Sequence, residues 1–232
     1  MNFGPRLEAV AALVPVCHRL VDVGTDHAYL PVLLLQQGRI QSAIAGDVVP
    51  GPCDAARHTV RSFHLEDRIS VRQGSGLTVV RPGEVEAAVM AGMGAETMLQ
   101  ILRESPEIWQ HTGFRHLILQ PMSDSERLRH WAEDAGWAIC REDLVEEGGR
   151  LYELLHLTPS PGWKYPGDCW EVGDDLVRRN HPLLPALLAE RCAKYRHLLE
   201  QMDKSPRARA SERYATYRTI LEQLEALENG RK

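Results

Sequence analysis

The sequence has no uninterrupted apolar run near the roughly 20 residues that a membrane-spanning helix needs. Nor does the start, Phe3-Gly4-Pro5-Arg6 after Met1-Asn2, show the layout of a signal peptide, so a cytoplasmic protein is expected. Cysteine is sparse: five residues at 17, 53, 140, 169 and 192, odd in number and without a Cys-x-x-Cys pair. That excludes a disulfide framework and a zinc-ribbon pattern and fits reduced thiols. The ten histidines show no metal-ligand spacing, so no metal is expected. There are no repeats or low-complexity tracts. Overall basic charge is absent too, since the formal net charge is −5. The charge is uneven, however: residues 191–232 hold ten Lys/Arg against six Asp/Glu, whereas the first 190 hold 17 against 26. An acidic body with a basic end suggests a local phosphate-binding surface. The same charges could equally solvate an ordinary helical hairpin.

What is present is an alternation of apolar strand-like runs and helical patterns. Pro5–Val14 reads as a leading helix, with Leu7, Val10, Ala11 and Val14 at helical spacing. Strands follow at 19–23, 42–47, 69–72, 85–91 and 116–120, and helices at 28–37, 51–63, 95–103 and 123–135. In the last helix Ser123 and Glu126 have capping-box spacing. Two more β-like runs, 137–144 and 151–157, flank Glu-Glu-Gly-Gly at 146–149, which reads as a hairpin turn. The pattern predicts a doubly wound, mainly parallel sheet with an antiparallel edge. Pro and Gly between Thr158 and Asp168 suggest a linker. The expected division is residues 1–158, a linker at 159–168 and a helical domain at 169–232. Apolar residues from Leu176 to Met202 and from Tyr214 to Leu227, broken at Ser205-Pro206, predict a helical hairpin resembling a short coiled coil.

In a doubly wound sheet a ligand binds beyond the carboxyl ends of the strands. The first such end is Val21-Asp22-Val23-Gly24-Thr25-Asp26-His27-Ala28. Gly24 permits a tight turn and close approach of a ligand to the backbone. Asp26 and Ala28 stand where a pyrophosphate-binding turn would have glycines. A carboxylate there repels phosphate but can accept hydrogen bonds from an ammonium or a ribose hydroxyl. This favours S-adenosylmethionine over NAD as cofactor. Asp47 ends the second strand, where a carboxylate can hold ribose hydroxyls, although it could also cap the next helix. Gly74-Ser75-Gly76-Leu77 closes the third strand, where an adenine commonly lies, or is a plain turn. Two glycines in Ala91-Gly92-Met93-Gly94-Ala95 leave room for an acceptor. Gln120 can donate and accept hydrogen bonds. His27 is a candidate site residue, or only a core histidine.

The strings Asp22-Val-Gly-Thr-Asp-His-Ala-Tyr-Leu-Pro31, Ala45-Gly-Asp47, Ala91-Gly-Met-Gly94 and Leu117-Ile-Leu-Gln-Pro121, in this order, resemble the bacterial tRNA (adenine-22-N1) methyltransferases. The resemblance spans about the first 157 residues and extends to the C-terminal hairpin. It implies a Rossmann-like class I methyltransferase sheet, S-adenosylmethionine as cofactor and tRNA as substrate. It further implies cofactor contacts at Asp22, Gly24, Thr25, Asp26, His27, Asp47, Val48, Gly74, Ser75, Gly76, Leu77, Ala91, Gly92 and Met93. Asp26, His27 and Gln120 are the candidate catalytic residues. The phosphate-contact candidates are Lys194, Arg196, Lys204, Arg207, Arg209 and Arg213. A monomer or weak homodimer is expected. Ser75, Ala95 and Met122 depart from the family pattern, which keeps a small-molecule or protein acceptor, or a non-catalytic RNA-binding role, as alternatives.

Overall fold

The computed structural model describes residues 3–230; residues 1, 2, 231 and 232, the outer ends of the two expected domains, lie outside the described residues. The chain forms two compact units, one ending at Lys164 and the other beginning at Tyr165.

The first unit is built on seven strands: β1 (Cys17–Val23), β2 (Ile40–Asp47), β3 (Ile69–Gln73), β4 (Ala87–Met93), β5 (His116–Pro121), β6 (Trp137–Glu147) and β7 (Arg150–Pro159). They lie in the order β3-β2-β1-β4-β5-β7-β6. The first five are mutually parallel, and β7 runs antiparallel to both β5 and β6. Strand periodicity sends alternate residues to opposite faces. Val21, Val23, Ile44, Ala88, Met90, Leu117 and Leu119 enter one core. Leu20, Ala43, Ala45, Ala87, Val89 and Ile118 enter the other. Helices α1 (Pro5–Leu13), α2 (Tyr29–Gln36) and α3 (Pro50–Ser62) cover the second core, whereas α4 (Ala95–Glu104), α5 (Pro106–Trp109) and α6 (Ser125–Asp134) cover the first. Because β1 pairs with β2 on one side and β4 on the other, the chain reverses its winding there, and a crevice opens beyond the carboxyl ends of these strands.

The expected antiparallel edge forms from the final hairpin, with β7 inserted between β5 and β6. Leu154, Leu155 and Leu157 are buried there, while β6 takes Arg141, Asp143 and Glu146 to the rim. The Gly148-Gly149 turn, with φ of 60° and 73°, supplies the mirror-image geometry that matches strand twist. The capping box at Ser123 and Glu126 does not form, since α6 starts at Ser125 after Asp124 in a left-handed conformation (φ 57°). The reason is a buried triad. Arg129 donates to Glu142 Oε1 at 2.8 Å and to Glu153 Oε2 at 2.7 Å, and the Ser125 hydroxyl donates to Glu153 Oε1 at 2.7 Å. These bonds fix the first turn of α6 on the β6–β7 hairpin two residues later than the capping signal.

The second unit contains α7 (Asp174–Arg178), α8 (Leu184–Asp203), α9 (Pro206–Arg209) and α10 (Glu212–Asn229). The segment from Leu176 to Met202 is interrupted where Asn180 turns left-handed (φ 51°) before Pro182. α8 and α10 pack antiparallel, as the Arg196–Glu225 ion pair (2.7 Å) and the Tyr214–Asp203 hydrogen bond (3.0 Å) show. No described helix is long and apolar enough to cross a membrane.

Candidate functional site

The crevice is organised by the turn after β1. Gly24 adopts φ +77°, and the Gly24 and Thr25 N–H groups both donate to the Gly46 carbonyl, at 2.8 and 3.0 Å. The turn is thereby stapled to β2. The positive φ at Gly24 favours glycine, and a Cβ there would lie 2.9 Å from Met93 Cε and displace the end of that side chain. The Thr25 hydroxyl accepts the Ala28 N–H at 3.1 Å and starts α2.

Asp22 lies beneath this turn, only 7% exposed. Burial pushes its carboxyl up to about 6; the Thr25 hydrogen bond opposes this shift and the nearby Asp47 charge adds to it. No lysine, arginine or histidine among the described residues pairs with it. Asp47 Oδ1 accepts the Val49 N–H at 2.8 Å. α3 begins after Val49 without a side-chain cap, so the Asp47 carboxylate stands in the crevice rather than capping the helix.

Two adjoining clefts share Gly24. One, of about 210 Å³, is lined by Asp47, Val48, Gly74, Ser75, Gly76 and Met93, with Thr97, Gln100, Ile101 and Glu104 of α4 on its far wall. Gly76 (φ +54°) is required there, because a Cβ would lie 2.7 Å from Ile101 Cγ2. Leu77, expected beside an adenine, is instead fully buried: it points into the core below the turn. The second cleft, of about 400 Å³, gathers Asp22, Thr25, Asp26, His27, Ala91 and Gly92. Phe3, Arg6, Tyr29 and Glu147 also line it. Asp26 Oδ2 lies 3.4 Å from His27 Nε2, and the His27 ring stacks on Tyr29.

Gln120 occupies a different place from the one its polarity suggested. It is fully buried. Its Oε1 accepts from Arg6 Nη1 at 2.7 Å and from the Gly92 N–H at 3.1 Å. Its Nε2 donates to the Pro121 carbonyl at 2.9 Å. The amide is therefore spent on holding the Gly92 bulge (φ +77°) and Arg6 together, and it has no exposed face for a substrate. Of the departures noted in the sequence, Ala95 is buried at the start of α4 and Met122 Sδ lies 3.8 Å from Gln120 Nε2.

In the helical unit five of the six basic candidates have partners within their own unit. Arg196 pairs with Glu225 (2.7 Å), Arg209 with Asp203 (3.1 Å) and Lys194 with Glu171 (3.9 Å). Lys204 donates to Gln201 (2.8 Å), Arg213 donates to the Tyr217 hydroxyl (2.6 Å), and Arg207 is exposed. Among the described residues no group of three or more His, Cys, Asp or Glu could hold a metal ion.

Sequence reasoning missed Arg6, Tyr29 and Glu147 on the second cleft and the α4 residues on the first. Tyr29 lay within the recognised motif; Arg6 and Glu147 reach the cleft only through the packing of α1 on the β6–β7 hairpin.

Comparison with known proteins agrees with this architecture. Residues 3–155 match the family described as methyltransferase domain. The tRNA (adenine(22)-N(1))-methyltransferase of Bacillus subtilis is 37% identical over 155 residues, covering 67% of this chain and 64% of that protein. The crystal structure of the B. subtilis M1A22 tRNA methyltransferase superposes with a TM-score of 0.88 at 28% identity, over 98% of this chain and 99% of that one. Streptococcus pneumoniae Sp1610 in complex with S-adenosyl-L-methionine gives a TM-score of 0.79 at 31% identity, over 96% and 98%. With the match to the family running through every strand that shapes the crevice and into β7, the chain belongs to the methyltransferase-domain family.

Proposed function

We propose that the chain transfers the methyl group of S-adenosylmethionine to N1 of adenine 22 in tRNA. The observation that carries the cofactor reading is a crevice rich in carboxylates and without lysine, with Asp22 buried at its base and lacking a basic partner. Such a site suits a ligand that brings its own ammonium and disfavours a pyrophosphate. Asp22 would hold the amino-acid end, Asp47 the ribose hydroxyls, and Val48 with Gly74–Gly76 the adenine. Gly24 allows the backbone contact. The bound cofactor supplies an electrophilic methyl on a sulfonium. The relatives support both halves of the reading: one is named for methylation of tRNA adenine 22, and another was crystallised with the cofactor.

Adenine N1 carries its lone pair in the neutral base, so no group need remove a proton before attack. The protein's task is to align the base and exclude water. The Gly92 bulge, fixed by Gln120 and Arg6, keeps the floor of the acceptor cleft open and fixed in shape. Asp26, 79% exposed, is available to offset the positive charge that the base gains and to take a proton afterwards. Turning the base out of the tRNA costs a few kcal/mol, which contacts elsewhere must offset. Lys194, Arg196, Lys204, Arg207, Arg209 and Arg213 are the proposed phosphate contacts, most of them exchanging an internal partner for RNA. A bacterial cytoplasmic location follows from a tRNA substrate.

The test is incubation with labelled S-adenosylmethionine and unmodified bacterial tRNA, followed by digestion to nucleosides. N1-methyladenosine is expected, lost when adenine 22 is replaced by guanine or Asp47 by alanine. Cofactor binding without any methyl transfer to tRNA would defeat the proposed acceptor.

A further inference from the structure

The acceptor cleft contains an aromatic pile. His27 and Tyr29 have ring centroids 5.2 Å apart and planes only 16° from parallel. Phe3 leans on the same tyrosine at 5.9 Å and 55°. Phe3 is packed against the hydrophobic core, while the His27 side chain is 43% exposed. Tyr29 thus joins a ring packed against the core to a half-exposed ring, and His27 shares the cleft with Gly92 and Asp26.

The backbone maintains this arrangement at a cost. Ala28, between the two rings, has φ +55°, a left-handed conformation in which non-glycine residues are uncommon. The kink brings residues two apart onto one side, where their rings overlap. Ala28 is fully buried and its N–H is bound by Thr25, so the surroundings enforce the conformation. Strain enforced in this way is a mark of functional sites.

We propose that the His27–Tyr29 stack is the seat of the acceptor base, with His27 presenting its ring face to a purine turned out of an RNA strand. This rests on the tRNA reading above and deepens it. The chemistry favours the face over the nitrogens, because methylation of adenine N1 needs no prior deprotonation. An offset aromatic stack also tolerates the positive charge that the purine acquires, with the Asp26 carboxylate beside it. Asp26 and His27 then divide the work, one meeting charge and the other fixing the plane of the ring. His27 acts as a contact residue, not a proton-transfer group.

The test uses the full-length protein with His27→Ala and His27→Phe, and three readouts: kcat/KM for tRNA, affinity for S-adenosylhomocysteine, and fluorescence of tRNA carrying 2-aminopurine at position 22. Losing a stacked base contact should lower kcat/KM about 10- to 100-fold in H27A. H27F should recover most of that loss. Product affinity should stay within about twofold in both, and the 2-aminopurine signal should be quenched by wild type and H27F but not by H27A. The proposal fails if H27F is as poor as H27A, if all three proteins quench alike, or if product affinity falls with activity, which would assign the ring to the cofactor. A wild-type protein that binds product yet forms no N1-methyladenosine defeats the tRNA reading, and the seat with it; this control separates that failure from failure of the seat alone.

Discussion

Replacing Asp22 by asparagine should make the protein more stable and less able to bind its cofactor. The carboxyl is held at about 6 in the fold, against an ordinary value of 3.8, chiefly by burial. The native chain therefore binds a proton more tightly than the unfolded chain does. The wild type is at its most stable, as far as this group is concerned, below pH 3.8. It loses that advantage as pH rises from about 4 through 6. A difference of roughly two units corresponds to about 3 kcal/mol at pH 8. Asparagine has the same shape and no charge to desolvate, so D22N should exceed wild type by about this amount at pH 8 and match it near pH 4. The assay is urea unfolding followed by tryptophan fluorescence, since Trp109, Trp131, Trp137 and Trp163 all lie in the first unit with Asp22. In a thermal scan the gain corresponds to roughly 6–12 °C. In parallel, S-adenosylmethionine affinity should fall in D22N, and in wild type it should weaken as pH drops below 6, where protonated Asp22 no longer attracts an ammonium. A stability gap that is constant from pH 4 to 8, or a D22N protein no more stable at pH 8, would refute the assignment of Asp22 as an unpaired buried charge awaiting a cation.

Two further outcomes follow from buried polar groups elsewhere in the sheet. Arg129→Met should cost about 3–5 kcal/mol in urea unfolding, because it leaves Glu142 and Glu153 buried without their cation. The triple variant R129M/E142Q/E153Q should regain more than half of that; a single variant within 1 kcal/mol of wild type would contradict the reading. His156 meets His116 with Nε2 3.1 Å from Nδ1, and burial, then the His116 charge, lowers His156 from 6.5 to about 4. Protonation thus favours the unfolded chain, and stability is lost as pH falls from 6.5 to 4. Because the ring is only partly buried and solvent screens it, the loss should be about 1–2 kcal/mol. Comparing unfolding midpoints at pH 7 and pH 4.5 in wild type and His156→Gln measures it, and an equal pH slope in both proteins would exclude His156 as its source.

The sheet was legible because its strands are apolar on both faces and separated by helical patterns of ordinary length, so periodicity and order agree. The turn at Gly24 and the carboxylate at Asp47 were legible because strand ends are where a doubly wound fold presents its side chains. What escaped was decided by contacts distant in sequence. Ser123 and Glu126 have the spacing of a cap, yet the Arg129 triad, reaching 13 and 24 residues ahead, outweighs a local signal worth about 1 kcal/mol. The basic residues of the hairpin were legible as a charge excess, but not the pairing of Arg196 with Glu225 29 residues away, which is set by the antiparallel packing of α8 on α10.

Gln120 shows the same limit within the site, and shows what it means for mechanism. From the sequence, an amide at a strand end is a candidate to touch substrate. Its donors and acceptors prove to be occupied by Arg6, Gly92 and Pro121, from a helix, a neighbouring strand and its own backbone. A buried amide so fully bonded is costly to disturb, which makes it suited to fixing the shape of a loop and unsuited to meeting each new base. In the proposed reaction the groups left to meet the base are the exposed ones at the same cleft, the Asp26 carboxylate and the His27 ring. The division is between a buried polar layer that sets the geometry and an exposed layer that is open to a ligand. Sequence spacing identifies both layers together as strand-end residues; only burial separates them.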